Sequence, residues 1–264
     1  NRYTIEDVRN SPMVAWPLTR LDICVMSDGA AATLLVSEEG LKKLEDAGAQ
    51  IARPLVKVTG IGRGTDAMRM SDRPHVDYDN FIENYATQQE KDSADTMAYY
   101  KKLWEHGTRY PGVHSFRAGR TAGNMAYKHA GVSDPLRELD FVELHDAYTS
   151  SEIQTYEDLG LCRYGEGGPF AASGKAFMPG VDYGLDLVDA PACPVNPSGG
   201  LIACGHPVGA TGLMQAVFAI WQLQGSVSQH FGDATLQLDA PQRGAIHSHA
   251  GTGTYVTVSI LERE

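Results

Sequence analysis

The 264 residues are 42% hydrophobic, with 33 acidic side chains against 22 lysines and arginines, a formal charge of -11 and a pI near 5.2. This is enough chain for one large or two modest domains with a real core, and the acid excess argues against a nucleic-acid surface. No apolar run of about eighteen residues is present to span a bilayer; the longest apolar helix candidate, near Leu213 to Leu223, is interrupted by glutamines.

Thr4 opens a helix in TIEDVRNS, with Glu6 and Asp7 in the first turn where acids suit the helix dipole, and Pro12 and Pro17 end it. Residues 30–37, AAATLLVS, read as a short buried strand; Ser37 then caps a helix over EEGLKKLEDAG that Gly48 closes. PLVKVTGIGRG alternates Val56 and Val58 as a strand leading into a glycine-rich turn. Residues 69–84 are polar and pattern-poor, a loop or crossover around Pro74. SADTMAYYKKLWEHG and AGRTAGNMAYKHAG read as helices ending at Gly107 and Gly131. LDFVELHDAY is a strand running into a polar turn, SSEIQTYEDLG a helix capped by Ser150 or Ser151, and residues 165–184 a loop. The helix in GATGLMQAVFAIWQLQ carries Leu213, Val217 and Ile220 on one side and Met214, Phe218 and Trp221 on another, so burial nearly all round is expected. AIHSHAGTGTYVTVSILE reads as a final strand, with Tyr255, Thr257 and Ser259 on one face and Val256, Val258 and Ile260 on the other. Strands alternating with helices argue for an α/β layered protein.

Three segments carry chemistry. NPSGGLIACGHPVGATG (196–212) surrounds His206 with glycines that let backbone amides and a ligand approach closely, ahead of a helix N-terminus that favours an anion; the alternative is a turn with a packing histidine. ELHDAYTSSE places His145, Asp146 and Tyr148 directly after a strand, where α/β folds collect functional groups; the alternative is that Asp146 and Thr149 cap the next helix while His145 bonds locally. In AIHSHAGTG, His247 and His249 share a strand face, and Gly251 and Gly253 offer unhindered amides. His-x-His is also a metal-ligand spacing, but no acid or thiol stands as a fourth ligand beside His145, His206 and His249, so no metal is assigned. The four cysteines, Cys24, Cys162, Cys193 and Cys204, form no Cys-x-x-Cys pair and read as reduced thiols of a cytoplasmic protein. The chain opens at Asn1 without a leader, as if mid-protein, and no secretory signal is read.

Through SDGAAATLLVS (27–37), VELHDAYTSSEIQTYEDLGLC (142–162), NPSGGLIACGHPVGATG and HAGTGTYVTVSIL, the chain resembles the carboxy-terminal portion of the thiolase superfamily. Its HDAY...YEDLGLC wording is closer to sterol-carrier-type and archaeal-type thiolases than to the degradative ones, which usually carry Asn-Glu-Ala-Phe there. The resemblance implies a layered αβαβα fold of two similar halves. Residues 1–50 would end the amino-terminal domain and residues 51–264 would form the carboxy-terminal domain. It implies an acyl-CoA C-acyltransferase, acetyl-CoA acetyltransferase-like, that cleaves or forms 3-oxoacyl-CoA through a cysteine acyl-enzyme, the cysteine lying outside this chain.

The resemblance also assigns roles. His206 matches the histidine that activates the nucleophile, His145 the position, often Asn, that helps bind an enolate oxygen, and His249 the place of a second cysteine acting as base. Gly251 would lend an N–H to an oxyanion hole, with Asn196 and Gly205 supporting the His206 loop. Coenzyme A would be a substrate, with no cofactor tightly bound. The implied partners are an amino-terminal thiolase half and a second copy, in a homodimer or dimer of dimers. Two other functions stay open. One is a thiolase-like retro-aldol lyase acting on a 3-hydroxyacyl-CoA with a small zinc-ribbon/OB-fold partner, in which the Tyr148 phenol shuttles a proton. The other is a non-catalytic acyl-CoA or lipid-binding subunit. Tyr156, Tyr164, Phe170 and Phe177 either line an acyl pocket or pack on the scaffold.

Overall fold

The computed structural model describes residues 3–111 and 115–264; Asn1 lies outside them. The first segment contains α1 (Ile5–Asn10), β1 (Met13–Ala15), β2 (Leu18–Thr19) and α2 (Glu38–Asp46). Thr4 and Ser37 cap the two helices as expected, Thr4 through a reciprocal capping box with Asp7. Residues 30–36 are not a strand. Leu34 and Leu35 stand 78% and 82% exposed, and among the described residues no strand pairs with this stretch, so its backbone has no ladder to join.

The core begins with β3 (Val56–Thr65), continues through α3 (Tyr78–Asn84), α4 (Gln88–Asp92), α5 (Ala94–Glu105), α6 (Arg117–Ala130) and α7 (Pro135–Glu138), and reaches β4 (Phe141–Glu143). Then follow α8 (Thr149–Asp158), α9 (Gly167–Ser173), α10 (Gly200–Cys204), α11 (Thr211–Gln224), α12 (Val227–Phe231), β5 (Arg243–Ala250) and β6 (Tyr255–Arg263). The four long-range strands form one mixed sheet in the order β3-β6-β5-β4, antiparallel except for the β5/β4 pair. One face, bearing Val142, Leu144, Ala245, Val256, Val258 and Ile260, packs on α6 and α8. The other, bearing Phe141, Ile246 and Leu261, packs on α11. The result is a helix–sheet–helix sandwich.

Several sequence expectations change here. The expected final strand is a hairpin, because Gly251 (φ +61°) and Gly253 (φ +69°) turn the chain between β5 and β6. The glycine-rich part of β3 is strand rather than turn. A Cβ at Gly60, Gly62 or Gly64 would lie 2.3, 1.8 or 2.0 Å from the carbonyl oxygens of Ala126, Ala122 or Ala118, so helix backbone rests directly on strand backbone along a glycine–alanine seam. The loop expected over residues 165–184 contains α9, and the pattern-poor stretch before Asn84 contains α3, capped by the Asp77 side chain. Helix α8 starts at Thr149 with Tyr148 at the N-cap, which leaves Ser150 and Ser151 inside its first turn. Burial of α11 is one-sided: Thr211, Gln215, Ala219, Gln222 and Leu223 face inward, whereas Leu213 is 45% exposed.

Helices α3 to α5 form a satellite aromatic cluster around Phe81, Tyr100 and Trp104. Arg120 of α6 fastens it to the sandwich, its buried guanidinium donating to both Glu90 oxygens (3.0 and 3.2 Å), to the Glu157 carbonyl (2.8 Å) and to the Tyr164 hydroxyl (3.1 Å). Among the described residues no helix is long and apolar enough to cross a membrane.

The glycine–alanine seam gives a stability prediction. Gly62→Ala forces α6 off β3 and costs about 1–3 kcal/mol or more, whereas Gly168→Ala, with nothing within 4 Å of its added Cβ, stays within about 0.5 kcal/mol of wild type. Urea unfolding of both variants checks the contrast, and equal midpoints would remove the seam from the account.

Candidate active site

The site is assembled where β4 and β5 end and the 196–212 loop passes over them. Beyond β4, the Leu144 N–H donates to the Asn196 side-chain oxygen (2.7 Å), and the Asn196 N–H donates to the Val142 carbonyl (2.7 Å). Asn196 takes φ +48° to do this, a left-handed conformation that Asn tolerates better than most residues. The same loop is held twice more. Glu143 accepts from the Ser198 N–H (3.0 Å) and pairs with its hydroxyl (2.7 Å), and Asp146 accepts from the Leu201 N–H (2.7 Å). Burial pushes Glu143 up to about 8 and Asp146 up to about 6 in spite of these bonds.

His206 follows Gly205, whose φ of +86° and close approach to Ser27 (2.1 Å from a would-be Cβ to Oγ) exclude a side chain. The His206 N–H donates to the Val25 carbonyl (2.9 Å), the Ser27 N–H donates to the His206 carbonyl (3.3 Å), and the Cys24 N–H donates to the Ala147 carbonyl (3.0 Å). Residues 24–27 thus lace the His206 loop to the His145 loop. The His206 Nδ1 lies 2.7 Å from the Thr211 hydroxyl, which donates its own proton to the Pro207 carbonyl (3.2 Å). The hydroxyl therefore accepts from Nδ1–H, and Nε2 keeps a free lone pair.

His145 is the centre of the cluster. Its ring centroid is 4.8 Å from that of His206, in an edge-on contact, and 4.1 Å from that of His249. Phe116 closes the far side of His249 at 5.2 Å. Burial, reinforced by the His249 and His206 rings, lowers His145 to about 3. Burial also lowers His249 to about 4; the Gly251 backbone pulls the other way without reaching hydrogen-bond geometry, and His206 adds to the lowering. Burial lowers the more exposed His206 too. The His145 Nδ1 and both His249 ring nitrogens are buried without a hydrogen-bond partner, so the chain leaves them to whatever enters the site. Among the described residues no three His, Cys, Asp or Glu side chains converge as metal ligands.

Of the sequence candidates, His145, His206 and His249 come together, Asn196 and Gly205 brace the loop between them, and Gly251 begins the turn just after His249. Tyr148 stands apart: its side chain is half-exposed at the α8 N-cap, and among the described residues no hydrogen bond or ring contact joins it to the imidazoles. All four thiols are raised rather than activated. Burial pushes up Cys24, Cys162 and Cys193, and Cys204, bonded to the Ser198 carbonyl (3.2 Å), is pushed up to about 11 by desolvation and the carboxylates of Glu143 and Asp146. Tyr156 and Phe177 line a cavity of about 490 Å³ with Tyr183, and Phe170 lines another of about 430 Å³, while Tyr156 and Phe170 also belong to the main core and Tyr164 packs in the aromatic cluster. Sequence reasoning missed the partner of His206, Thr211, and the lacing segment of residues 24–27. The five-residue spacing from His206 to a hydroxyl at the first turn of a helix is the signal that was available.

Known proteins bear on the family and the fold. Residues 105–263 match the family model described as thiolase C-terminal domain-like. The acetyl-CoA acetyltransferase of Methanothermobacter thermautotrophicus is 32% identical over 262 residues, which is 99% of this chain and 52% of that protein. Sterol carrier protein 2 of Oryctolagus cuniculus is 30% identical over 227 residues, 86% of this chain and 32% of that protein. The chain therefore spans about half or less of the length of these curated relatives. A solved structure described as Ltp2-ChsH2(DUF35) aldolase shares the fold with a TM-score of 0.63 at 20% identity, covering 99% of this chain and 51% of the other. The sandwich, the histidine-bearing loops and the match over residues 105–263 lead to one assignment: this chain belongs to the thiolase C-terminal domain-like family.

Proposed function

We propose that the chain supplies the carboxy-terminal half of an acyl-CoA C-acyltransferase of thiolase type, with residues 1–50 completing an amino-terminal domain and residues 51–264 forming the carboxy-terminal one. The observation that carries the reading is the convergence of His145, His206 and His249, with the His206 Nε2 free to act as a base. A cysteine of the amino-terminal half presents its thiol to Nε2. The proton moves to the imidazole, and the thiolate attacks the 3-oxo carbon (Cβ) of a 3-oxoacyl-CoA. The Cα–Cβ bond breaks, leaving an acyl-enzyme and an enolate. The Gly251 N–H supports the oxygen of the acyl-enzyme, and His145, a neutral donor, holds the enolate oxygen through a water. The proton taken from the thiol passes from His206 to His249 and on to the enolate carbon; CoA–SH then gives its proton to His206 as its sulfur attacks the acyl-enzyme carbonyl, and the cysteine thiolate that leaves takes that proton back. Run backwards, neutral His249 removes the α-proton and the new carbanion attacks the acyl-enzyme in a Claisen condensation.

Coenzyme A is the substrate carrier in this scheme, no tightly bound cofactor takes part, and the site is completed in a homodimer or dimer of dimers in the cytoplasm. Tyr148 favours a second reading. A half-exposed phenol beside the His145 loop suits proton transfer at a β-hydroxyl, as in a retro-aldol lyase working with a small OB-fold partner.

Acid quenching of the full-length protein with a short 3-oxoacyl-CoA, followed by peptide mass spectrometry, decides between them. An acyl group on an amino-terminal cysteine is expected. No adduct, with aldehyde or ketone released from a 3-hydroxyacyl-CoA, would replace the thiolase reading with the lyase. His206→Ala is expected to slow turnover about 10²–10⁴-fold with unchanged acyl-CoA affinity, which would exclude a non-catalytic binding subunit; full activity in that variant would overturn the catalytic role of His206.

The pH profile makes a separate prediction. A base lowered to about 4 stays neutral on acidification, so α-proton exchange into acetyl-CoA holds steady from pH 7.5 to 5.5 and falls only below about pH 5. The measurement is proton–deuterium exchange by NMR across that range. An acid limb at about 6.5 would mean that His249 is not the base.

A further inference from the structure

We infer that Arg73 is a positioning residue for the turn after His249 and biases that turn toward negative charge; the inference rests on the reading above, in which Gly251 supplies an oxyanion donor. Arg73 lies in the polar stretch that carries no sequence pattern, yet it is 7% exposed. Its Nε donates to the Ala67 carbonyl (3.2 Å), and its Nη2 donates to the Thr252 carbonyl (2.6 Å) with the Thr252 hydroxyl at 3.4 Å. A second hold comes from the same loop, because the Asp66 N–H donates to the Thr254 carbonyl (2.9 Å). The 66–73 loop therefore clasps both the middle and the end of the turn.

The charges at this corner do not balance. The Asp66 carboxylate is occupied by the Arg117 fork at 2.7 and 3.1 Å. Arg73 has no ion-pair partner among the described residues, and its Nη1 is buried without a hydrogen-bond acceptor. Its guanidinium lies 6.0 Å from the Phe116 ring centre, and that ring in turn lies against His249. Burying a cation against neutral carbonyls alone is costly, and a stability role would be served as well by an uncharged donor. The excess charge has a use if negative charge develops nearby during reaction. The Thr252 carbonyl belongs to the peptide of the Gly253 N–H, two residues on from the Gly251 N–H, so Arg73 acts on the Gly251 donor by fixing the turn that carries it and by placing a positive charge beside that turn, not by polarising its peptide.

The test compares Arg73→Met, Arg73→Gln and Arg73→Lys in the full-length protein, by kcat and KM with a 3-oxoacyl-CoA, by thermal midpoint and by amide hydrogen exchange over residues 250–255. Arg73→Met is expected to lower kcat about 10- to 100-fold with KM little changed, and to quicken exchange in the turn while β6 stays protected. Arg73→Gln should restore protection of the turn but not kcat, and Arg73→Lys should restore most of kcat. Wild-type kcat and exchange in Arg73→Met would overturn the inference, as would an Arg73→Lys variant no more active than Arg73→Met. A wild-type protein without thioester turnover would remove the thiolase reading instead, and the exchange measurement would still decide whether Arg73 holds the turn.

Discussion

The arrangement depends on how a three-residue strand is continued. β4 has β5 on one side, but among the described residues its other edge meets only residues 194–196, where the Val142 N–H donates to the Pro194 carbonyl and the Asn196 N–H donates to the Val142 carbonyl. The next rung, at Leu144, is made by an Asn196 side-chain oxygen instead of a backbone carbonyl. One amide thus extends the ladder to the residue before His145, and it simultaneously starts the loop that ends at His206. Leaving the Leu144 N–H unpaired in this buried place would cost about 1–3 kcal/mol. The separation of two catalytic candidates is therefore set by hydrogen bonds made within one turn.

Two buried acids tighten the same turn, and their raised pKa values do not loosen it. A protonated Glu143 can still accept the Ser198 N–H with one oxygen while its own O–H donates to the Ser198 hydroxyl, so both contacts survive loss of charge. Asp146 caps the first amides of α10, where a carboxylate suits the helix end. The acids adjoining His145 thus serve the scaffold, which keeps their charge away from the imidazoles.

Much of this was legible in the sequence because it is local. Thr4 and Ser37 cap helices by contacts three residues away, and Gly131 closes α6 in the left-handed conformation the sequence suggests. The three histidine segments stood out by their glycines and by their positions after strands. What escaped detection depends on partners distant in sequence. Gly60, Gly62 and Gly64 look like turn residues until Ala118, Ala122 and Ala126 are laid against them. The inward stripe of α11 carries Gln215 and Gln222 because one caps the His247 carbonyl and the other binds the Leu236 carbonyl, so apolar periodicity misjudged which side was buried. Arg73 reaches a turn 179 residues away in the chain, and nothing in its neighbourhood signals that.

The electrostatics of the cluster bear on the division of roles in the proposed reaction. Two imidazolium charges 4.8 Å apart repel by about 3.5 kcal/mol at an effective dielectric of 20, so the site accepts one proton and resists a second. The first proton goes to the ring that is least desolvated, which is His206, since His145 and His249 are held further below their ordinary value by burial. A proton delivered by a thiol would therefore rest on His206, beside the thiolate that balances it, while its two neighbours stay neutral. Neutral rings are what the second half of a Claisen reaction needs: one to donate a hydrogen bond to an enolate oxygen, the other to take and return a carbon-bound proton. In the proposed reaction, burial and crowding would separate a charge-bearing histidine from two rings that return to neutral after each proton exchange.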